Sequence, residues 1–213
     1  PESWHNHASC LVELPNGDLL ACWYHGSGER SADDVLVEGA RRRAGEQQWG
    51  GRFPMADAPG YPDCNPCMFL DGRDRLWLIY VTLLANEWHT AILKYRISSS
   101  YRSPSAPRWQ LGDVLHVTPG DEFVSEVAAQ CDADEARLRQ TDSLTEDAAK
   151  YLAERREHAR DKLYRRMGWM PRAHPIVLKS GRIVLPLYSD GFDFSLMALS
   201  DDNGATWRAS RPA

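Results

Sequence analysis

Three stretches of the chain share one pattern of apolar and polar positions. Residues 7–24 read HASCLVELPNGDLLACWY, residues 65–81 read NPCMFLDGRDRLWLIYV, and residues 174–188 read HPIVLKSGRIVLPLY. Each is a short apolar run, a turn and a second apolar run that leads to an aromatic. The turns carry Asn16-Gly17, Asp71-Gly72 and Ser180-Gly181. Short apolar runs bounded by turn residues predict strands rather than helices. A third strand follows in every copy, over Asp34–Arg41, Thr90–Arg96 and Phe194–Leu199, and then a turn that ends at Trp49, Trp109 or Trp207. The pattern therefore predicts three copies of a four-stranded antiparallel unit.

The spacing agrees. His7 to Asn65 is 58 residues, and Asn65 to His174 is 109, which falls to 59 when the 50 residues of 119–168 are set aside. That stretch has a different period. Ser143-Leu144-Thr145-Glu146 reads as a capping box with Ser143 as the cap. Leu144, Ala148, Tyr151, Leu152, Arg155, Ala159, Leu163 and Met167 then recur at three- and four-residue steps, which predicts a helix running to a C′ glycine at Gly168. A weaker helix is predicted over Glu122–Arg139. The many charges of this segment predict a solvated face, and a lid or dimer contact is the sharper alternative.

The last turn is the most specific motif. Ser200-Asp201-Asp202-Asn203-Gly204-Ala205-Thr206-Trp207 fills every fixed position of S-x-D-x-G-x-T-W. Asp and Asn bond their own backbone, glycine supplies a positive φ, and the Trp ring covers the hairpin end. An ordinary Asn-Gly hairpin accounts for two of these positions but not for the whole set. The stretch resembles the Asp-box of sialidases and related proteins, and the turns ending at Trp49 and Trp109 read as degenerate copies. The resemblance implies an all-β, sialidase-like β-propeller. This chain would supply about three four-stranded blades of six, with a helical insertion between blades two and three. The implied bounds are about 7–50, 64–110 and 172–208 for the blades and about 119–168 for the insertion. Three blades do not close a ring, so open edges are expected to be completed by more chain or by self-association.

In such a propeller, residues just before each innermost strand and in the loop after each second strand share one mouth. That places His7, Asn65 and His174 in equivalent positions, with Arg172 and Asp63 each two residues before one of them. Glu29, Arg30, Asp33 and Asp34, then Asn86, Glu87 and His89, then Ser189, Asp190 and Asp193 come from the loops. Trp23, Tyr24, Tyr80, Trp88 and Tyr188 are expected close by. Aromatic faces with charged groups suit a carbohydrate. The resemblance implies an exo-acting glycosidase for a terminal anionic sugar such as sialic acid, and a non-catalytic carbohydrate-binding propeller is the alternative. In sialidases an Arg-Ile-Pro stretch opens the first blade. Here His7 falls at its Arg and Ser9 at its Pro, so the first carboxylate-binding arginine is absent. The acid/base of the family falls on Asp33, with Asp34 second. Substrate contacts are expected from His7, Arg30, Asn65, Arg172, His174 and Asp190. The family's nucleophilic Tyr, its Glu and two later arginines belong to later blades.

Composition narrows the partners. The net charge is −5, which disfavours nucleic acid. No apolar run is long enough to span a membrane. Five cysteines make an odd count with no dense framework, so no disulfide scaffold is expected. Cys64-Asn65-Pro66-Cys67 lacks a second pair, and His5, His7 and His25 lack an accompanying acidic set, so no metal or cofactor is expected. The run Arg41-Arg42-Arg43 reads as solvated surface. No signal peptide is visible, but the chain starts at Pro1, so a removed leader and a cytoplasmic location both stay open.

Overall fold

The computed structural model describes residues 4–192 and 194–212. It is mostly β, with three antiparallel sheets and two helices. The first sheet is a meander of β1 (His5–Glu13), β2 (Leu19–Gly26), β3 (Leu36–Arg42) and β4 (Phe53–Ala56). The second repeats it with β5 (Asp63–Leu70), β6 (Leu76–Leu83), β7 (Ala91–Ser98) and β8 (Leu111–Val114). Helices α1 (Asp121–Gln140) and α2 (Glu146–Arg160) come next in the chain. The third sheet contains β9 (Trp169–Pro171), β10 (Ile176–Val177), β11 (Ile183–Ser189), β12 (Phe194–Ser200) and β13 (Arg208–Ala209). Here β9 and β10 both pair with β11, so the expected single first strand is broken in two. Pro171 and Pro175 flank the break, and neither has an N–H to give to a ladder.

The sheets stack through their first strands. β5 lies against β1, β2 and β3 on one side and against β9 on the other. Between the first two sheets lies a core of Leu14, Leu20, Cys22, Val37, Met55, Met68, Leu78 and Tyr80. A second core joins the second sheet, the third sheet and the helices, with Trp77, Ile79, Val81, Trp169, Leu185 and Leu187 at its centre.

The Asp-box closes as its residues demand. The Asp202 carboxylate accepts from the Thr206 N–H at 2.9 Å and from the Ser200 hydroxyl at 2.8 Å, and the Trp207 indole donates to the Gly204 carbonyl at 3.2 Å. The Thr206 hydroxyl, which donates to the same carboxylate at 2.5 Å, then the Thr206 N–H and the Ser200 hydroxyl hold the Asp202 carboxyl down at a pKa of about 2. The turn docks on the second sheet, where Trp207 meets Trp77 edge-on at 6.2 Å and Arg75 donates to the Asn203 carbonyl at 2.8 Å. Trp109 and Trp207 are half-buried, each just before the last strand of its sheet, whereas Trp49 is 45% exposed.

Three expectations change. The helix-capping residue is Thr145, whose hydroxyl accepts from the Ala148 N–H at 3.1 Å, while Ser143 bonds back to the Thr141 carbonyl. The second helix stops at Arg160 rather than running to Met167. Asp161 turns its carboxylate onto the N–H groups of Leu163 and Tyr164, a side-chain bond that competes with the helical ladder. The chain then folds back, and Tyr164 stacks on His158 at 3.8 Å. Finally, Arg41 is not solvated. It is 3% exposed, pairs with Asp18 at 3.0 Å and donates to the Tyr101 carbonyl, tying the first sheet to the loop after β7. The helices pack on the third sheet through Phe123, which meets Trp169, Phe192 and Phe194 edge-on, and through buried Arg155, which donates to the Phe192 carbonyl at 2.7 Å.

Candidate functional site

The first strands are irregular at one level. In β1, His7 pairs with Tyr24 and Cys10 with Cys22, so Ala8 and Ser9 together oppose Trp23. In β5, Cys64 pairs with Val81 and Cys67 with Ile79, so Asn65 and Pro66 oppose Tyr80. Each is a bulge, which bends its strand and re-aims side chains. Ala8 and Asn65 both take positive φ, at 51° and 47°, which non-glycine residues seldom adopt. The break between β9 and β10 stands at the same level in the third sheet. The hairpins fix the correspondence, because Glu13, Leu70 and Val177 pair with Leu19, Leu76 and Ile183 across turns of equal length. Counting back from them aligns Ala8 with Asn65 and Arg172, and Cys10 with Cys67 and His174. The expected equivalence of His7, Asn65 and His174 is corrected accordingly.

Ala8, Ser9, Pro66, Pro171 and Arg172 line a cleft of about 190 Å³ where the three first strands meet. Arg172 is exposed there and makes no ion pair among the described residues. Its positive charge acts on the hydroxyls of Tyr24 and Tyr188. The Tyr24 hydroxyl donates to Glu29 at 2.5 Å, and burial together with that carboxylate pushes the phenol far up. The Asn65 amide donates to the Tyr188 hydroxyl at 3.1 Å, and Tyr188 is likewise raised, first by burial and then by Asp190. Both phenols therefore keep their protons at neutral pH. His7 is exposed, lies 5.7 Å from the Tyr24 ring, and lines a neighbouring cleft of about 380 Å³ with Asn6, Ala8, Ser9 and Trp23. His174 is exposed, and its Nδ1 is bonded to the Pro175 carbonyl at 2.8 Å.

The loops bring a second group together. Asp33 is exposed, and its carboxylate accepts from the Asn86 amide at 2.9 Å. Asn86 also donates to the Arg30 carbonyl at 2.9 Å. The Arg30 side chain pairs with Glu87 at 3.7 Å and lies over the Trp88 ring at 5.8 Å. Asp34 is taken up locally, accepting from the N–H and hydroxyl of Ser27. Asp190 is exposed in the turn after β11, and Asp193 lies outside the described residues. Two expected members sit elsewhere. Tyr80 is 2% exposed within the core between the first two sheets, beneath Lys94 and Arg96. Asp63 is wholly buried, accepts from Thr82, and has its pKa pushed up to about 6 by burial.

Sequence reasoning named Tyr24 and Glu29 separately and missed their hydrogen bond, and it did not link Asn86 to Asp33. Equal turn lengths were the available signal for aligning Arg172 with Asn65.

The sequence profile of the BNR repeat-like domain matches residues 17–213. The chain belongs to that family. Its fold is the sialidase-like BNR repeat fold, as solved structures also show. A protein of unknown function from Dyadobacter fermentans superposes with a TM-score of 0.63 at 12% identity, covering 100% of this chain and 56% of its own. The NanB sialidase from Streptococcus pneumoniae gives 0.61 at 9% identity, covering 98% and 44%. Zg3597, a family 117 glycoside hydrolase from Zobellia galactanivorans, gives 0.58 at 12% identity, covering 98% and 56%. This BNR repeat chain thus spans about half the length of the solved structures it matches. No curated protein matches it.

Proposed function

We propose that the three sheets are three blades of a six-bladed sialidase-like propeller, and that the protein is an exo-acting glycosidase for a terminal anionic sugar. The observation that carries this reading is the exposed Arg172 guanidinium, which makes no ion pair among the described residues, in a polar cleft at the junction of the three first strands. Guanidinium groups match carboxylates through parallel hydrogen bonds. Asn65, His7 and His174 border the same junction, and the protonated Tyr24 and Tyr188 hydroxyls lie within reach of its charge. Arg30 and Asp190 contribute from the loops. Asp33 is the proposed acid/base, and Asp34, occupied with Ser27, is its less suitable neighbour. Leu11 on β1, Ile176 on β10 and Leu178 in the turn after β10 are exposed apolar side chains on which further blades or another copy would pack.

A second reading, carbohydrate binding without hydrolysis, is favoured by the exposure of Asp33. A general acid works best where water is excluded and its proton is retained. Hydrolysis of an aryl sialoside and of sialyllactose by the intact protein decides between them. The glycosidase reading expects Asp33→Asn to lower turnover of sialyllactose by about 10²–10⁴, with less effect on the activated aryl substrate. Turnover unchanged in both Asp33→Asn and Asp34→Asn removes both residues from that role. Sugar binding without any turnover establishes the second reading.

A further inference from the structure

Cys10 and Cys22 are direct partners in the antiparallel ladder of β1 and β2. Cα atoms of such partners lie about 4.5 or 5.5 Å apart, within the range of about 4.4–6.8 Å that a disulfide spans. Both are free thiols. They differ in surroundings. Cys22 is fully buried, and burial holds its thiol well up. Cys10 is part-exposed, two residues beyond Ala8 of the Arg172 cleft. Its sulfur accepts the Met68 N–H at 3.2 Å.

We propose that Cys10 and Cys22 form a peroxide-sensitive thiol pair, with Cys10 as the attacking thiolate and a cross-strand disulfide as the product. The Cys10 thiolate attacks one oxygen of hydrogen peroxide and the O–O bond breaks. The departing hydroxide takes a proton and leaves as water, and Cys10 becomes a sulfenic acid. The Cys22 sulfur then attacks the Cys10 sulfur. The sulfenic hydroxyl leaves with the Cys22 proton as a second water, and the S–S bond forms. Peroxide is reduced and the two thiols are oxidised. The adjacent Cys22 thiol and then the Met68 N–H outweigh burial and lower the Cys10 thiol to about 6. Cys67 also lies near Cys10, but it belongs to the second sheet and has no ladder pairing with it.

The test is a peptide map without reduction, after brief treatment of the intact folded protein with hydrogen peroxide and blocking of free thiols. The expected product is a Cys10–Cys22 cross-linked peptide. In Cys22→Ser, Cys10 is expected to be trapped as a sulfenic acid by dimedone, and in Cys10→Ser the cross-link is lost. Iodoacetamide labelling of Cys10 in the folded, untreated protein is expected to be half-maximal near pH 6. A Cys10–Cys67 disulfide, a cross-link that forms only after unfolding, or a labelling midpoint near the ordinary thiol value of about 8.5 overturns the proposal.

Discussion

Replacing Gly204 with alanine tests how the Asp-box joins the third sheet to the second. Gly204 sits at φ +87°, and an added Cβ would lie 2.3 Å from Trp77 Cη2 and 2.6 Å from Cζ2. Trp77 has little room to yield. Its indole donates to Asp71 at 2.8 Å, and the Arg75 guanidinium covers its ring at 5.4 Å. The left-handed backbone costs an alanine about 1–2 kcal/mol. Overpacking against a fixed ring adds about 1–3 kcal/mol, so the sum is about 2–5 kcal/mol. Gly181 separates the two parts. It has the same φ of +87°, but a Cβ added there would meet nothing within 4 Å, so Gly181→Ala should show the backbone cost alone. In a domain of this size each kcal/mol shifts the melting midpoint by about 2–4 °C. Tryptophan fluorescence is the natural readout, because Trp77 and Trp207 meet edge-on at this junction. Gly204→Ala is expected to melt well below Gly181→Ala, with Trp emission altered before the main transition. Equal midpoints for the two variants would refute the close packing of turn and ring.

Other outcomes follow from buried polar groups and caps. The Asp63 pKa is raised from 3.8 to about 6, so its charge opposes folding increasingly as pH rises through that window and fully above it. Asp63→Asn, which can still accept from Thr82, should stabilise the protein by about 2–3 kcal/mol above pH 7 and give no gain below pH 4 in pH-dependent denaturant titrations. Thr145→Ala should cost about 1 kcal/mol and speed hydrogen exchange in the first turn of α2, whereas Ser143→Ala should leave that exchange unchanged.

The repeated hairpins were readable because apolar alternation and Gly-containing turns are local signals. The Asp-box was readable because a single side chain, Asp202, satisfies most of its own turn. The interrupted first strand of the third sheet was harder to read. Residues 174–188 look like a complete hairpin, and the part of the strand beyond the break, Trp169–Pro171, has too few residues to show a period. Misplacing His174 followed from that, because its ring lies on the break rather than at the strand start. Helix α2 was overextended because Leu163 and Met167 continue the helical period, while Asp161 interrupts it through one carboxylate. The pairing of Tyr24 with Glu29, and of Asn86 with Asp33, depends on how loops fold over strand ends, and residue spacing does not encode it.

The central claim is that the Arg172 cleft binds the carboxylate of a sugar, and titration calorimetry of the intact protein tests it most directly. The ligands are N-acetylneuraminic acid and its uncharged methyl ester, measured against the parent and Arg172→Met. A guanidinium–carboxylate contact contributes about 1.5–3 kcal/mol, which is about 10- to 150-fold in affinity. The account predicts that the parent prefers the acid over the ester by a factor in that range, that Arg172→Met erases the preference, and that binding of the ester is little changed. Equal affinity of the parent for acid and ester, or an undiminished preference in Arg172→Met, would contradict it.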